Sequence, residues 1–214
     1  MSDLPPASDP TSDPTSRPTS APLPPMPGSR RAALQRARTV LVTGVAGGTG
    51  TTTVAALVAD AVGGRLGVVV QATDHSGGEL AARLPALRAA TSRVTVHDMG
   101  AHVGPAALLA ATPENCLVVV GRATPGGAAD VRTALASIAD EPDPTLLGRS
   151  VVVLVDRAAK PTTVDTRPVR DTGVAGVFVL RTDRVLGRPG RIDVAGLGRS
   201  TITTVSDLLT ALGW

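Results

Sequence analysis

A doubly wound α/β domain, with a mostly parallel sheet and helices on both faces, is the fold class this sequence predicts for residues 39–214. Three observations carry that reading. Strand-like runs such as Val151-Val152-Val153-Leu154-Val155 are continuously apolar rather than alternating, as in strands buried on both faces. They take turns along the chain with helix-like stretches, the pattern of strand-helix-strand units. The first strand also runs straight into a glycine-rich turn and a helix start, VLVTGVAGGTGTTTVAALVADAV from Val40 to Val62, which has the form of a phosphate-binding loop.

Taken in order, residues 1–29 hold little but Pro, Ser, Thr and Asp, with the near-repeat SDPTSDPTSRPTSAP and half of the 18 prolines. So few apolar side chains offset little of the entropy of ordering, and the segment reads as a disordered spacer. Residues 30–38 carry Arg30, Arg31, Arg36 and Arg38, a basic lead-in that reads as a solvated run, with phosphate backbones or anionic lipid as the alternative contact. The pattern then predicts strands at 39–43, 66–72, 93–98, 116–121, 150–155 and 176–180, and helices near 51–62, 78–89, 104–111, 126–139 and 203–212. The helix near 126 has its own start signals, Thr124 at the cap and Pro125 at the first helical position. The last helix places Val205, Leu208, Leu209 and Leu212 on one stripe. A membrane-lying helix usually carries Lys or Arg on its polar face, and this one has only Asp207, so it reads as packing against the sheet.

Composition narrows the function classes. The chain carries a net charge of +3 with a single lysine, Lys160, and without its leader the domain is close to neutral, so no field calls for nucleic acid. There is no tyrosine, one phenylalanine (Phe178) and one tryptophan (Trp214), which argues against base-stacking platforms. The one cysteine, Cys116, heads an apolar run, has no partner for an internal disulfide and reads as a small buried side chain. No stretch has the form of a signal peptide or a membrane span; the expectation is a soluble, cytoplasmic protein without membrane association.

Ligands of doubly wound sheets sit at the carboxyl ends of the strands, so strand ends supply the candidate site residues. Strand one ends in Gly44, Gly47, Gly48 and Gly50, where glycines permit positive φ and bring bare amides against a ligand. The helix start at Thr51-Thr52-Thr53 adds unpaired donors and about half a positive charge. Strand two runs into Thr73-Asp74-His75-Ser76-Gly77-Gly78, and strand three ends at Asp98. An acid at a neighbouring strand tip with a hydroxyl from the helix start, here Asp98 and Thr52, suits Mg²⁺ directly or through water. What the loop lacks is a lysine, for Thr51 stands where the phosphate loop has one.

These residues resemble the MinD/ParA family of P-loop ATPases, whose fold is a three-layer sandwich. The family's loop reads KGGxGK[ST][ST], and residues 46–53 read AGGTGTTT; its second strand ends in D-x-D-P-x-G-G, and residues 72–78 read ATDHSGG; its third strand ends in an Asp matching Asp98. The later order is similar too, with a strand and Pro-headed helix at 118–139, a strand at 151–155, then VFVLRTDRVLGRPGRID before a final helix. The resemblance spans residues 39–213. It implies ATP or ADP with Mg²⁺, held by Gly47, Gly48, Thr49, Gly50, Thr51, Thr52 and Thr53, with Thr52 and Asp98 at the metal. It also implies a part for Asp74 in hydrolysis, a homodimer, and a role in positioning, partitioning or regulation through an unidentified protein partner.

The departures matter as much. Ala46 stands where the family's signature lysine crosses the dimer, Thr51 replaces the lysine on the β- and γ-phosphates, and Ala72 replaces the first acid of the second-strand motif. A charged hydrogen bond is worth about 1.5–3 kcal/mol, so binding should weaken by about ten- to a hundredfold. Hydrolysis, which depends on neutralising charge that develops in the transition state, should suffer more. The expectation is a degenerate member, a pseudo-ATPase, with Arg122 or Arg157 at other strand ends as candidate replacement cations, although planar guanidinium does not copy an ammonium closely.

Two alternatives stay open. Thr43-Gly44-x-x-x-Gly48-x-Gly50 also resembles the loop of short-chain dehydrogenases, which hold NAD(P) without lysine, and Asp74 lies where an acid would meet the ribose. Those enzymes need a tyrosine that this chain lacks, so that reading is a Rossmann relic. The third reading is an interaction or scaffold module whose loop binds nothing. Smaller features read plainly: His75 as an exposed loop residue, Glu79 as a first-turn acid, and His97 with His102 as an incomplete metal set. Residues 181–199 read as a solvated arginine-bearing loop, with an anion-facing role near the nucleotide base, which the family resemblance implies, as the alternative.

Overall fold

The computed structural model describes residues 38–77, 79–84, 94–158 and 163–214. The expected tail and most of the basic lead-in lie outside these residues, as do Gly78 and Lys160. Six strands form one sheet: β1 (Arg38–Gly44), β2 (Gln71–Asp74), β3 (Val94–Asp98), β4 (Cys116–Arg122), β5 (Ser150–Val155) and β6 (Gly176–Leu180). Their order is β2-β3-β1-β4-β5-β6, and every neighbouring pair is parallel. The helices are α1 (Thr51–Leu66), α2 (Leu80–Arg83), α3 (Val103–Ala110), α4 (Pro125–Ala139), α5 (Arg167–Arg170) and α6 (Arg199–Ala211).

The unalternating apolar strands are explained by cover on both faces. Successive side chains of a strand point to opposite sides. Val40 and Val42 therefore pack with Val54, Val58 and Val62 of α1, on the face that also takes Val205, Leu208 and Leu209 of α6. Leu41, between them, packs on the other face with Ala106 and Ala110 of α3, Val131, Leu135 and Ile138 of α4 and Val169 of α5. The α6 stripe named from the sequence, Val205, Leu208, Leu209 and Leu212, is buried throughout. Freeing it would expose four aliphatic side chains at a cost of about 6–12 kcal/mol, so that face is committed to the core. Among the described residues no helix is long and apolar enough to cross a membrane.

Four expectations are corrected. The second strand lies at Gln71–Asp74, not 66–72, because α1 continues through Gly63 and Gly64 to Leu66 and stops at Gly67, whose left-handed φ of 65° forms the C-cap. Gly63 is a close-approach residue, since a Cβ there would stand 2.9 Å from the Val68 carbonyl oxygen. Val68 is left 41% exposed, and β2, an edge strand with β3 as its one neighbour, buries little. The helix expected at 78–89 is described only as Leu80–Arg83, with residues 85–93 outside the description. Arg38 belongs to β1 rather than to a solvated lead-in. The last helix opens at Arg199, four residues earlier than expected.

The register decides what meets at the carboxyl edge. Asp74 pairs with Asp98, Val42 with Asp98, Gly44 with Val120, Arg122 with Val155 and Val155 with Leu180. The glycine loop, both acids and both strand-end arginine segments therefore lie along one side of the sheet.

Candidate functional site

The loop between β1 and α1 is shaped by its glycines and by two buried threonines. Gly48 and Gly50 take φ of 70° and 98°, and Gly50 sits at the N-cap of α1, where it offers no side chain to the opening amides. The first bond of the α1 ladder runs from the Val54 amide to the Gly50 carbonyl. Thr51 and Thr49 are both buried: the Thr49 hydroxyl donates to the Ala46 carbonyl at 3.1 Å, and the Thr51 hydroxyl lies 3.1 Å from it as the remaining donor. A Cβ on Gly44 would come within 2.4 Å of both hydroxyls, so the glycine is required by that packing.

Above the loop opens a cleft of about 1020 Å³. Gly47, Gly48, Gly50, Thr51, Thr52 and Thr53 line it, as do Ser76, Gly77 and Glu79 from the β2 end, Arg83 of α2, and Gly100, Ala101 and His102 after β3. Its far wall is Val155, Asp156, Arg157 and a segment from Leu180 to Pro189 that includes Arg181, Asp183 and Arg188. The arginine-bearing stretch read as a solvated loop is thus in part cleft wall, while Arg184, Arg191 and Arg199 do not face it.

The acids stand one layer back. Asp98 is fully buried, its Oδ1 accepting from the Gly100 amide at 3.0 Å and its Oδ2 from the Ser76 hydroxyl at 3.0 Å. Asp74 Oδ1 accepts from the Ser76 amide at 2.7 Å and hydroxyl at 2.8 Å, and its Oδ2 accepts from the Leu80 amide at 3.0 Å. It is Asp74, then, and not Glu79, that meets the start of α2. One hydroxyl proton on Ser76 serves two carboxylates, and Ser76, not either acid, reaches the cleft surface. The oxygen donors Thr52 and Ser76 on the wall, with Asp98 behind Ser76, fit a hard cation that keeps its waters better than one ligated directly by Asp98.

Arg83 was not foreseen, because nothing in its local sequence marks it. Its Nη2 donates to the Thr53 hydroxyl at 2.8 Å and the Leu186 carbonyl at 2.9 Å, and its Nη1 to the carbonyl of Arg188. It staples the far wall to α1 and occupies the Thr53 hydroxyl. Burial lowers the Arg83 guanidinium from its ordinary value; Glu79 opposes this and the charge of Arg157 adds to it. The far wall is tied again at Asp183, which accepts from the Val185 and Gly198 amides at 2.9 Å each and from the Thr201 hydroxyl at 2.7 Å. Burial alone would raise the Asp183 carboxyl, but those donors outweigh it and hold the group below the usual carboxylate range.

His97 has a partner that strand alternation did not disclose. His75 Nε2 lies 2.9 Å from His97 Nδ1, with the rings stacked at 5.2 Å. Among the described residues, no three His, Cys, Asp or Glu side chains come together as a metal set.

No family model matches the sequence, and no curated protein matches it. A solved structure does match: the crystal structure of a ParA family ATPase from Chlorobium tepidum TLS superposes with a TM-score of 0.52 at 13% identity, covering 67% of this chain and 84% of that one. The fold is ParA-like. At that identity the likeness speaks for the architecture, a parallel sheet with helices on both faces, and leaves the chemistry to the residues of the cleft.

Proposed function

We propose that the cleft binds a nucleoside triphosphate, ATP with Mg²⁺, weakly, that hydrolysis is slow or absent, and that the protein works in positioning, partitioning or regulation through a protein partner. The observation that carries this is the loop: positive-φ glycines lead into an uncapped helix start that opens on a cleft walled by hydroxyls and arginines. Thr52 and Asp98 are the proposed metal residues, Asp98 through water or Ser76. Asp74 is the acid proposed nearest to any hydrolytic step, although its oxygens are engaged in holding Ser76 and the Leu80 amide.

The strand order supports this reading over the dinucleotide one. A Rossmann sheet runs 3-2-1-4-5-6, which puts the ribose-reading acid on the strand beside β1. Here β3 takes that place and Asp74 stands one strand further out. Heat-denaturation with Mg·ATP, Mg·ADP, NADH and NADPH tests the choice. A rise in midpoint with Mg·ATP that disappears in Thr52→Ala is the expected outcome. A rise with NADPH alone favours the dinucleotide reading, and no rise with any of them leaves the loop as an interaction surface.

A further inference from the structure

We infer that Arg157, reaching over the glycine loop from the end of β5, supplies the phosphate-binding cation that the loop itself lacks, with Arg122 beside it. This rests on the nucleotide reading above and deepens it.

The loop cannot supply the charge. Thr51, although it lines the cleft, is a neutral, buried side chain with its hydroxyl against Thr49. Two guanidinium groups instead approach from the neighbouring strands. Arg157 Nη1 donates to the Gly48 carbonyl at 3.2 Å, and a Cβ on Gly48 would stand 3.8 Å from Arg122 Nη2. Both side chains are exposed on this edge, and Arg157 lines the cleft. Neither belongs to the ion pairs formed among the described residues, Arg149–Asp143 and Arg167–Asp165.

The root of Arg157 is fixed on both sides. The Asp156 amide donates to the Leu180 carbonyl at 2.8 Å, the Ala158 amide to Asp156 Oδ1 at 3.0 Å, and the Thr182 hydroxyl lies 3.0 and 2.9 Å from the carbonyls of Asp156 and Ala158. The backbone that carries Arg157 is thereby held, and its guanidinium, with one bond to the Gly48 carbonyl, has donors left for a planar, two-point contact with phosphate oxygens. The charge of Arg157 also bears on Arg83, and both residues line the cleft. An anion bound in the cleft beside them offsets that repulsion, as a neutral ligand cannot.

A strut holding the loop would use the same Gly48 contact, so the test must separate the two roles. Dissociation constants for Mg·ATP are measured at fixed ionic strength for the full chain and for Arg157→Ala, Arg157→Lys and Arg157→Ala with Thr51→Lys, each with its melting temperature in the absence of nucleotide. The inference expects Arg157→Ala to weaken binding about 10- to 100-fold at an unchanged melting temperature, Arg157→Lys to lose less, and Thr51→Lys to restore part of the loss. Equal binding by wild type and Arg157→Ala overturns the inference and leaves the nucleotide reading standing. A loss of binding matched by a fall in melting temperature, with no rescue by Thr51→Lys, makes Arg157 a strut and overturns it as well. No Mg·ATP binding by the wild type overturns the nucleotide reading and the inference together.

Discussion

At the scale of single residues, the site is governed by where protons and charges are held. Asp183 carries the far wall of the cleft on three donors, so its ionised form belongs to the fold. Its carboxyl is held low in the folded chain, which therefore binds fewer protons than the unfolded chain as pH falls below the ordinary carboxylate value near 3.9. That stability is fully present above this value and disappears as pH falls through the folded one. Asp183→Asn should lower the free energy of urea unfolding at pH 7 by about 1–2 kcal/mol and flatten the acid limb; an unaltered acid limb would exclude the group as its source. His97 works at a higher pH. Burial, and then the nearby charge of His75, lower its imidazole from the ordinary 6.5, so protonation favours the unfolded chain. Stability should fall as pH is lowered through and below 6.5, and His97→Asn should remove that step from urea midpoints taken between pH 5 and 8.

At the scale of elements, local chemistry was legible wherever it was self-contained. Thr124 and Pro125 announced α4, and in the structure the Thr124 hydroxyl accepts from the Gly127 amide at 3.0 Å with Pro125 leading the helix. Thr124→Ala should cost about 1 kcal/mol in urea unfolding, and a change below a few tenths would mean that packing alone sets this boundary. The central strands were legible for the same reason, since β1, β4 and β5 each carry an unbroken apolar run, Val40 to Val42, Cys116 to Val120 and Val151 to Val155, covered on both faces. β2 was not. Its apolar lead, Val68-Val69-Val70, looks like a buried strand, yet α1 runs on to Leu66 and the pairing begins only at Gln71, so Val68 is left at the surface. Edge strands bury too little for apolarity to set their limits. The cleft was half legible for a related reason: the glycine loop is continuous in sequence and could be named residue by residue. The segment that holds Ser76 and the arginine-bearing loop could be named as well, but which of their side chains reach the cleft, and that Arg83 joins them, is set by register and loop packing, for which no short-range signal exists.

At the scale of the whole molecule, the sheet separates what stabilises it from what binds. Arg38 opens β1 and Gly44 closes it, and seven residues of strand put about 20 Å between the two ends. At the first end the Arg38 guanidinium contacts the Cys116 sulfur at 3.1 Å, donates to the Leu212 carbonyl and lies 4.1 Å over the Trp214 ring, so the start of the sheet and the end of α6 are fastened to each other. At the second end lies the glycine loop. Cation–π contacts with a carbonyl behind them are worth about 0.5–2 kcal/mol, and effects more than about 10 Å apart usually add independently. Arg38→Ala and Trp214→Ala should therefore each lower the urea midpoint, with a coupling of about 0.5–1 kcal/mol in the double-mutant cycle. Neither should move the Mg·ATP dissociation constant beyond twofold. A latch mutant that loses nucleotide affinity while still folded would mean that strain passes along β1 to the loop, and the division between a sheet that holds and an edge that binds would have to be abandoned.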